Sequence, residues 1–284
     1  MVKAAVRSSA WLIVLSALLI PVVLMISGSF ADLLTLWGGP RLIPRHPTLI
    51  NYERLLSARG TAGGQSWELG GTLLVPRWVL NTVALTVIAT VVSIYTSASA
   101  GYALRSRGGL GLLVVTASLI VPSGALIIPL FRVARGLGIQ GTLVAAALPQ
   151  IYWPLGILLY RAYLRTFDAD VVDAARIEGA SELTIFTRIV LPATTPALGA
   201  MALLKALDIL GDFVWQWVQL GRSLSHTLLV GLARMTALQT PAYGLPNPAG
   251  MQMAAGALSL IPAVLVFLAL KRFWREGIET GALR

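Results

Sequence analysis

The chain has 284 residues, of which 56% are hydrophobic and only 12% are charged, and its mean hydropathy is +0.78. This apolar content exceeds what a soluble core of that length needs, so the composition predicts a membrane protein. The net charge of +10 comes from Arg and Lys scattered between apolar runs. Scattered charges favour topology determinants and contacts with membrane lipid, and they argue against nucleic acid as a partner. The absence of cysteine excludes disulfides, thiolate metal sites and cysteine nucleophiles, and with only two histidines no metal site is expected.

Six apolar runs are long enough to cross a bilayer, which takes about 20 residues per helix. They cover residues 10–30, 78–104, 110–130, 141–164, 194–220 and 250–270. The first run could be a cleaved signal peptide or an uncleaved anchor, and its length favours the anchor. Two prolines in the third run, Pro122 and Pro129, are expected to break or bend it. The sequence therefore predicts an all-α fold, a polytopic membrane helical bundle with six transmembrane helices.

The distribution of Lys and Arg predicts the orientation of this bundle. With the N-terminus inside, the cytoplasmic side holds 12 of these residues and the short outer loops hold four, as the positive-inside rule requires. Both termini are therefore predicted to be cytoplasmic. We divide the chain into residues 1–30 (tail and first span), 31–77 (periplasmic loop) and 78–284 (a five-helix core). Within the loop, the Gly-rich stretch 59–71 predicts irregular chain, either a connector or a surface that contacts a periplasmic partner.

The cytoplasmic segment 168–192 holds five of the chain's 12 acidic residues. Its start predicts a short amphipathic helix, Gly179 predicts a turn, and Ser181 is a candidate cap for a second helix that returns to the membrane. The expected apolar stripe of the first helix consists of Val171, Val172, Ala175 and Ile177. Small residues such as Ala174, Ala175 and Ala180 would let the segment enter a groove on a partner, so its shape predicts a docking element.

The same segment resembles the cytoplasmic signature of the inner-membrane permeases of binding-protein-dependent ABC importers. That signature reads Glu-Ala-Ala, three residues, Gly, nine residues, Ile, one residue and Leu-Pro. The matching positions are Asp173, Ala174, Ala175, Gly179, Ile189, Leu191 and Pro192. Asp173 replaces the usual Glu, and Glu178 stands before Gly179 and Ala180 where Asp is common. The resemblance implies that these residues couple the chain to an ATPase and that the fold is the type I importer permease fold.

Further segments resemble the carbohydrate branch of these permeases, as second subunits of the maltose and glycerol-phosphate type. They are TLINYERL at 48–55, the Trp78 to Asn81 stretch and the C-terminal 271–283. The resemblance implies a bacterial or archaeal inner-membrane subunit that moves a sugar or oligosaccharide. Its implied partners are a homologous second permease, two ATP-binding cassette ATPase subunits and a periplasmic or lipid-anchored sugar-binding protein.

No G-x-x-x-x-G-K-[ST] phosphate loop is present in the sequence. We therefore expect no cofactor and no catalytic residue in this chain, with ATP and Mg²⁺ held by the partner ATPases. The motor would move the docking segment and thereby bias the permease pair between inward-open and outward-open states. A β-carbon at Gly179 is expected to obstruct the turn and to uncouple transport from ATP hydrolysis.

Three charged residues, Lys205, Asp208 and Asp212, lie within the apolar fifth run at spacings of three and four. The spacing predicts that they share one helical face. Either Lys205 and Asp208 neutralise each other and hold helices together, or the three residues line the translocation path. Trp78, Trp215, Trp217 and Trp274 are expected to form an interfacial aromatic belt, with sugar stacking as the alternative.

Two other classes of protein remain as alternatives. A membrane enzyme would need an acid, base or nucleophile constellation, and the sequence offers no recognisable one. A secondary transporter or channel that acts alone on a small polar solute would be expected to show inverted repeats, and none is evident. A docking signature would also serve no purpose in a transporter that works alone.

Overall fold

The computed structural model describes residues 2–32, 42–44, 46–57, 59–60, 72–105, 109–221, 223–237 and 248–282, and these residues are predominantly helical. The helices are α1 (Val2–Ser29), α2 (Ile50–Ser57), α3 (Leu74–Ala103), α4 (Leu110–Ser118), α5 (Ser123–Gly136), α6 (Leu143–Ala147), α7 (Pro154–Tyr163), α8 (Ala169–Ile177), α9 (Glu182–Ala193), α10 (Thr195–Gly211), α11 (Phe213–Gln219), α12 (Leu228–Ala237) and α13 (Pro248–Ala282). Short 3₁₀ segments cover Leu148–Ile151 and Ser223–Ser225, and residues Ile185–Val190 of α9 are π-helical. Two-residue strands β1 (Arg59–Gly60) and β2 (Thr72–Leu73) pair antiparallel, with Arg59 opposite Leu73.

Two helices of the described chain, Leu74–Ala103 and Ala249–Lys271, are long and apolar enough to cross a membrane without a break. Three further helix pairs have the required length and hydropathy but are bent: α4 with α5 by 99°, α6 and its 3₁₀ extension with α7 by 44°, and α9 with α10 by 78°. The apolar part of α1 described at side-chain level, Val14–Ser29, is shorter. The all-α membrane class is confirmed, while the count of six spans stays a prediction.

The break in the third predicted span lies at Pro122. This residue has an extended backbone, with φ −63° and ψ 131°, and α5 begins at the next residue. Proline lacks an N–H and disfavours helical backbone in the residue before it, so the chain turns here. Pro129 lies inside α5 and does not end it. The expectation is therefore confirmed for Pro122, whereas the helix continues through Pro129.

The chain is divided into two compact units. The first unit contains residues 1–80 and 222–261. In this unit Asn51, which is fully buried, donates from Nδ2 to the carbonyl oxygens of Ser29 and Ala31, at 2.9 and 3.0 Å. These bonds satisfy carbonyl groups at and just beyond the end of α1, where the helix itself supplies no donors. The Asn-Tyr pair of the 48–55 segment thus ties α2 to α1, and Tyr52 adds a 2.6 Å hydroxyl contact to Ser29.

Trp78 lies in the hydrophobic core of the same unit and is only 1% exposed. Its indole occupies the space left by Gly231, where an added β-carbon would come within 2.3 Å of the ring. The interfacial position expected for Trp78 is therefore wrong, because the missing side chain of Gly231 opens a place for the ring inside the protein. The Gly-rich stretch 61–71 and the side chain of Trp274 lie outside the described residues.

The second unit contains residues 81–221 and 262–284 and carries both candidate sites. One of its core clusters gathers Ala98, Tyr102, Tyr160, Leu164, Val172, Ala175, Ile185, Phe186, Val190 and Met201. Another gathers Leu85, Ala89, Ala146, Ile209 and Leu220. Trp215 is also buried, and its Nε1 donates to the carbonyl oxygen of Ala146 at 3.1 Å. The belt position expected for Trp215 is wrong as well, because the indole N–H finds its acceptor inside the bundle.

Candidate functional site

The docking segment, residues 168–192, forms a helical hairpin. Asp168 caps α8 by accepting from the backbone N–H of Asp170, and Ser181 caps α9 by accepting from that of Thr184. Between them Gly179 has φ +86°, a conformation that favours glycine. The N–H groups of Gly179 and Ala180 bond to the carbonyls of Arg176 and Ala175, each at 3.0 Å, which is a Schellman termination of α8. The expected glycine turn and serine cap are confirmed.

Open space surrounds Gly179, and an added β-carbon would meet no atom within 4 Å. The expectation that a β-carbon would obstruct the turn is therefore wrong in its cause. The constraint is conformational, because an L-residue in left-handed backbone costs about 1 to 2 kcal/mol.

The inner face of the hairpin packs on the chain's own core. Val172 and Ala175 of α8 are 6% and 8% exposed and join the cluster around Tyr102, Tyr160 and Phe186. The partly buried signature residues Ala180, Ile189 and Leu191 pack against the same cluster. These residues hold the hairpin on the bundle, since their apolar surface is already removed from water.

The outer face of the hairpin is exposed and combines apolar with acidic side chains. Ile177 is 88% exposed and Leu183 is 67% exposed. Other exposed positions of the hairpin include Val171, Asp173, Ala174, Glu178, Gly179 and Pro192, together with the basic Arg176 and Arg188. The expected single apolar stripe is therefore wrong: Val172 and Ala175 face inward, whereas Val171 and Ile177 face outward. Large apolar side chains that are exposed on a segment outside the apolar runs are candidates for contact with a protein partner.

A charged cluster joins the hairpin to the end of α3. The carboxylate of Glu182 accepts from Tyr102 Oη at 2.8 Å, from Arg105 Nη2 at 3.3 Å and from Arg176 Nε at 2.7 Å. Arg176 also bonds Asp173 at 2.8 Å, and the guanidinium of Arg105 lies 3.7 Å from the centre of the Tyr102 ring. The hydrogen bond from Arg176, followed by that from Tyr102, lowers the pKa of Glu182 from 4.5 to about 2.

The role of this cluster is not evident from the sequence alone. In the sequence, Arg105 is recognisable only as one of the basic residues on the predicted cytoplasmic side. Glu182 and Tyr102 belong to no sequence motif. The one available signal is an acidic residue directly after the Ser181 cap, a position that the helix dipole favours for any helix. The pairing with Tyr102 and Arg105 joins residues about 80 positions apart.

A second attachment lies at the 78° bend between α9 and α10. Thr194, which is fully buried at the bend, exchanges a hydrogen bond with Tyr160 Oη of α7 at 2.8 Å. The hairpin is thus fastened to α3 through Glu182 and to α7 through Thr194, and it continues directly into α10. A force on the hairpin would reach three membrane helices.

The charged residues of the fifth predicted span form a network across two chain segments. Lys205 Nζ donates to Asp208 Oδ2 and to Gln150 Oε1, both at 2.8 Å. Gln150 Nε2 in turn donates to Asp212 Oδ2 at 2.5 Å. The ring of Trp153 lies 5.6 Å from the Lys205 ammonium. The expected Lys205 to Asp208 pair is confirmed, and Gln150 extends it.

Asp212 does not share the helical face of the other two residues. The helix α10 ends at Gly211, and Asp212 has a non-helical backbone with φ −75° and ψ 75° before α11 begins. The continuous span expected over 194–220 is therefore wrong. Asp212 still joins the network because Gln150, from the 3₁₀ segment at the break before α7, reaches across to it.

These features describe a chain with membrane-spanning helices and a helical hairpin whose outer face is exposed, as expected from the resemblance to importer permeases. The family model described as "Binding-protein-dependent transport system inner membrane component" matches residues 93–278. The chain belongs to this family, so the inferred family is confirmed, together with its non-catalytic transport role and its place in the inner membrane.

Relatives agree with this assignment. The arabinooligosaccharides transport system permease protein AraQ of Halalkalibacterium halodurans is 33% identical over 73% of this chain and 74% of its own length. The trehalose/maltose transport system permease protein MalG of Thermococcus litoralis is 29% identical over 94% of this chain and 91% of its own. A chain in the crystal structure of a bacterial ABC transporter involved in alginate import has a TM-score of 0.79 at 22% identity. That match covers 95% of this chain and 96% of the other, and it shows a shared fold.

Proposed function

We propose that this chain is one of two homologous permease subunits of an ATP-driven importer that carries a sugar or oligosaccharide into the cytoplasm. Two ATP-binding cassette subunits would bind ATP and Mg²⁺ and dock on residues 168–192. A periplasmic or lipid-anchored binding protein would deliver the sugar on the other side. In this arrangement both termini lie in the cytoplasm. The names of the relatives AraQ and MalG support a sugar as the cargo.

The observation that carries this proposal is the division of the hairpin into two faces. Its inner face is anchored on the bundle by a hydrophobic cluster and by Glu182. Its outer face leaves Ile177 and Leu183 largely exposed beside acidic side chains. A segment that is fixed on one side and open on the other can pass a partner's movement into the membrane helices. A transporter that acts alone would have no use for such a surface.

The coupling step follows from these attachments. When the ATPase subunits close on ATP, the outer face moves with them, with contacts that include Asp173, Ala174, Glu178 and Gly179. The inner residues Ala175, Ala180, Ile189 and Leu191 keep the hairpin attached to the core, and Pro192 leads into the bend at Thr194. The movement then reaches α3, α7 and α10 and shifts the bundle between its two states. Lys205, Asp208 and Asp212 would lie along the path that opens.

An interface variant tests the docking surface. Replacing Ile177 with Asp changes a residue that is 88% exposed, so folding should be preserved while an apolar contact becomes a charge. We expect the amount of ATPase that co-purifies with the tagged permease pair to fall at least about tenfold, because loss of one well-packed interface residue weakens binding by about that much. Thr166→Asp is the matched control, because Thr166 is also exposed but lies before the hairpin. Unchanged ATPase recovery with Ile177→Asp would contradict the proposed docking face.

A further inference from the structure

The Lys205 to Asp208 pair in α10 is asymmetric. The Lys205 side chain is 4% exposed, whereas the Asp208 side chain is 60% exposed. The ammonium is thus held inside the bundle, and the carboxylate projects outward from the helix. Leu204 and Gly211, one turn on either side of Asp208, are also exposed. These positions follow the i, i+4, i+7 pattern of a single helical face.

The depth of Asp208 makes lipid an unfavourable neighbour for this face. At 1.5 Å per residue, Lys205 lies about 15 Å and Asp208 about 20 Å along α10 from its start at Thr195, within a hydrocarbon core about 30 Å thick. Insertion of an aspartate near the centre of a span costs about 2.5 to 3.5 kcal/mol even on the lower scales. The face must therefore adjoin either protein or water.

Two breaks in membrane helices meet beside this face. One is at Asp212, between α10 and α11, and the other is at the 3₁₀ segment before α7 that carries Gln150. The Gln150 amide joins them by bonding both Lys205 and Asp212. Non-helical backbone at membrane depth is tolerated where it is buried in protein or lines a water-filled cavity, and broken helices in transporters surround the solute path.

The network carries an unbalanced charge. With each side chain in its ordinary charge state at pH 7, Lys205 supplies one positive charge, Asp208 and Asp212 supply two negative charges, and Gln150 and Trp153 are neutral. Because the ammonium is the buried member, the surface presented outward is negative. A negative wall raises the local concentration of cations and lowers that of anions.

We propose that the exposed face of α10 with Leu204, Asp208 and Gly211 lines the aqueous path, and that its negative charge makes the path selective against anionic solutes. The cargo would then be an uncharged or cationic sugar, and sugars that carry carboxylate or phosphate groups would be disfavoured. This inference rests on the proposed import function and adds the charge class of its cargo.

The sequence provides a direct test because it has no cysteine, so an introduced thiol is the only target for thiol reagents in this chain, and labelling is measured on this chain after it is separated from its partners. Gly211→Cys places a thiol on the proposed face, where an added β-carbon meets no atom within 4 Å, and it leaves Asp208 and Asp212 in place. Leu265→Cys on α13 is the control, since Leu265 is 60% exposed on a helix whose span is only 11% buried. The probes are two membrane-impermeant methanethiosulfonates, one with a trimethylammonium group and one with a sulfonate group.

We expect Gly211→Cys, in membranes that contain the assembled importer, to react at least about tenfold faster than Leu265→Cys, because thiolates form in water and hardly at all in lipid. Relative to the rate of each reagent with a small free thiol in solution, the cationic reagent should react faster than the anionic one by roughly fivefold. Asp208→Asn, which keeps an acceptor for Lys205, should abolish most of that preference. Labelling of Gly211→Cys as slow as that of the control would show that the face is covered. Rapid labelling with a charge preference that Asp208→Asn leaves unchanged would overturn the proposed selectivity.

The same membranes separate this inference from the function on which it depends. If the ATPase subunits co-purify with Gly211→Cys and labelling is slow, the path assignment alone fails. If no ATPase accompanies either the parent chain or the variant, the proposed function fails first.

Discussion

The docking hairpin and the charged network of α10 both pair basic with acidic side chains, but they differ in which partner is exposed. In the hairpin, the carboxylate of Glu182 is exposed and gathers three donors, which hold it ionised at the water-facing end of the bundle. In α10, the cation of Lys205 is buried and the carboxylate of Asp208 faces outward. The first arrangement fastens the surface element that, in the proposed function, a partner moves. The second keeps a charge at a membrane depth where only water or protein can accommodate it.

The largest effect on stability is expected when the buried ammonium of Lys205 loses the carboxylate of Asp208. Asp208→Leu leaves the Lys205 ammonium buried with only Gln150 as a hydrogen-bond acceptor, and an uncompensated buried charge costs about 3 to 5 kcal/mol. We expect a lower thermal unfolding midpoint for the purified permease pair. The double variant Lys205→Met/Asp208→Leu should recover most of that loss, because it removes both charges together.

The double variant makes this prediction falsifiable. A double variant as unstable as Asp208→Leu alone would show that the pair does not act as a unit. Lys205 and Asp208 would then not form a coupled pair that sets α10 apart from the hairpin.

A smaller effect on stability, with a large effect on coupling, is expected at Gly179. Gly179→Leu forces a side chain into backbone at φ +86°, which costs about 1 to 2 kcal/mol and shifts the hairpin toward other turns. Sugar uptake should fall while ATP hydrolysis continues. Uptake and ATPase rates measured in the same proteoliposomes would separate the two activities.

Gly138→Leu is the matched control for this change. Gly138 also has a positive φ, +69°, with open space around it, but it lies after α5 and outside the hairpin. The strain should therefore be similar and the coupling normal. Equal loss of coupling in both variants would mean that strain alone, and not the hairpin, accounts for the defect.

The smallest effect on stability is expected from Glu182, whose ion pairs are solvent-exposed and therefore weak. The folded-state pKa of about 2 lies below the unfolded value of 4.5, so any stabilisation is present above pH 4.5 and is lost as the pH falls toward 2. Hydrogen exchange around Ala180 should thus show similar protection at pH 7 and pH 5.

Glu182→Gln should lower this protection at both pH values, because the amide cannot pair with Arg105 and Arg176 as an anion does. Glu178→Gln is the control, since Glu178 is an exposed acid of the same hairpin that takes no part in the Glu182 cluster. Loss of protection with Glu178→Gln but not with Glu182→Gln would contradict the assigned cluster.

The sequence predicted those parts of the fold and site that depend on local spacing. The Gly179 turn, the Ser181 cap and the Pro122 break all follow from the backbone preferences of single residues. The sequence predicted only in part which face of the hairpin packs on the bundle. Val171 and Ile177 are as apolar as Val172, and their outward orientation depends on where the core lies.

Contacts between distant segments could not be predicted. The bridge from Gln150 to Lys205 and Asp212 joins residues 55 and 62 positions apart, and a lone glutamine carries no pattern. The interfacial position expected for Trp78 is wrong for the same reason, because the environment of this residue depends on Gly231, which is distant in the sequence. Hydropathy identifies a span but does not show that α10 stops at Gly211.

Reconstitution shows whether this chain moves solute only when ATPases drive it through the docking hairpin. Proteoliposomes would contain this chain, its companion permease and the ATPase subunits, with the binding protein and candidate sugars added outside. We predict uptake that requires ATP inside and the binding protein outside, and that Ile177→Asp abolishes. Uptake by this chain alone, driven by a proton gradient without ATP, would show that transport needs neither an ATPase nor the hairpin.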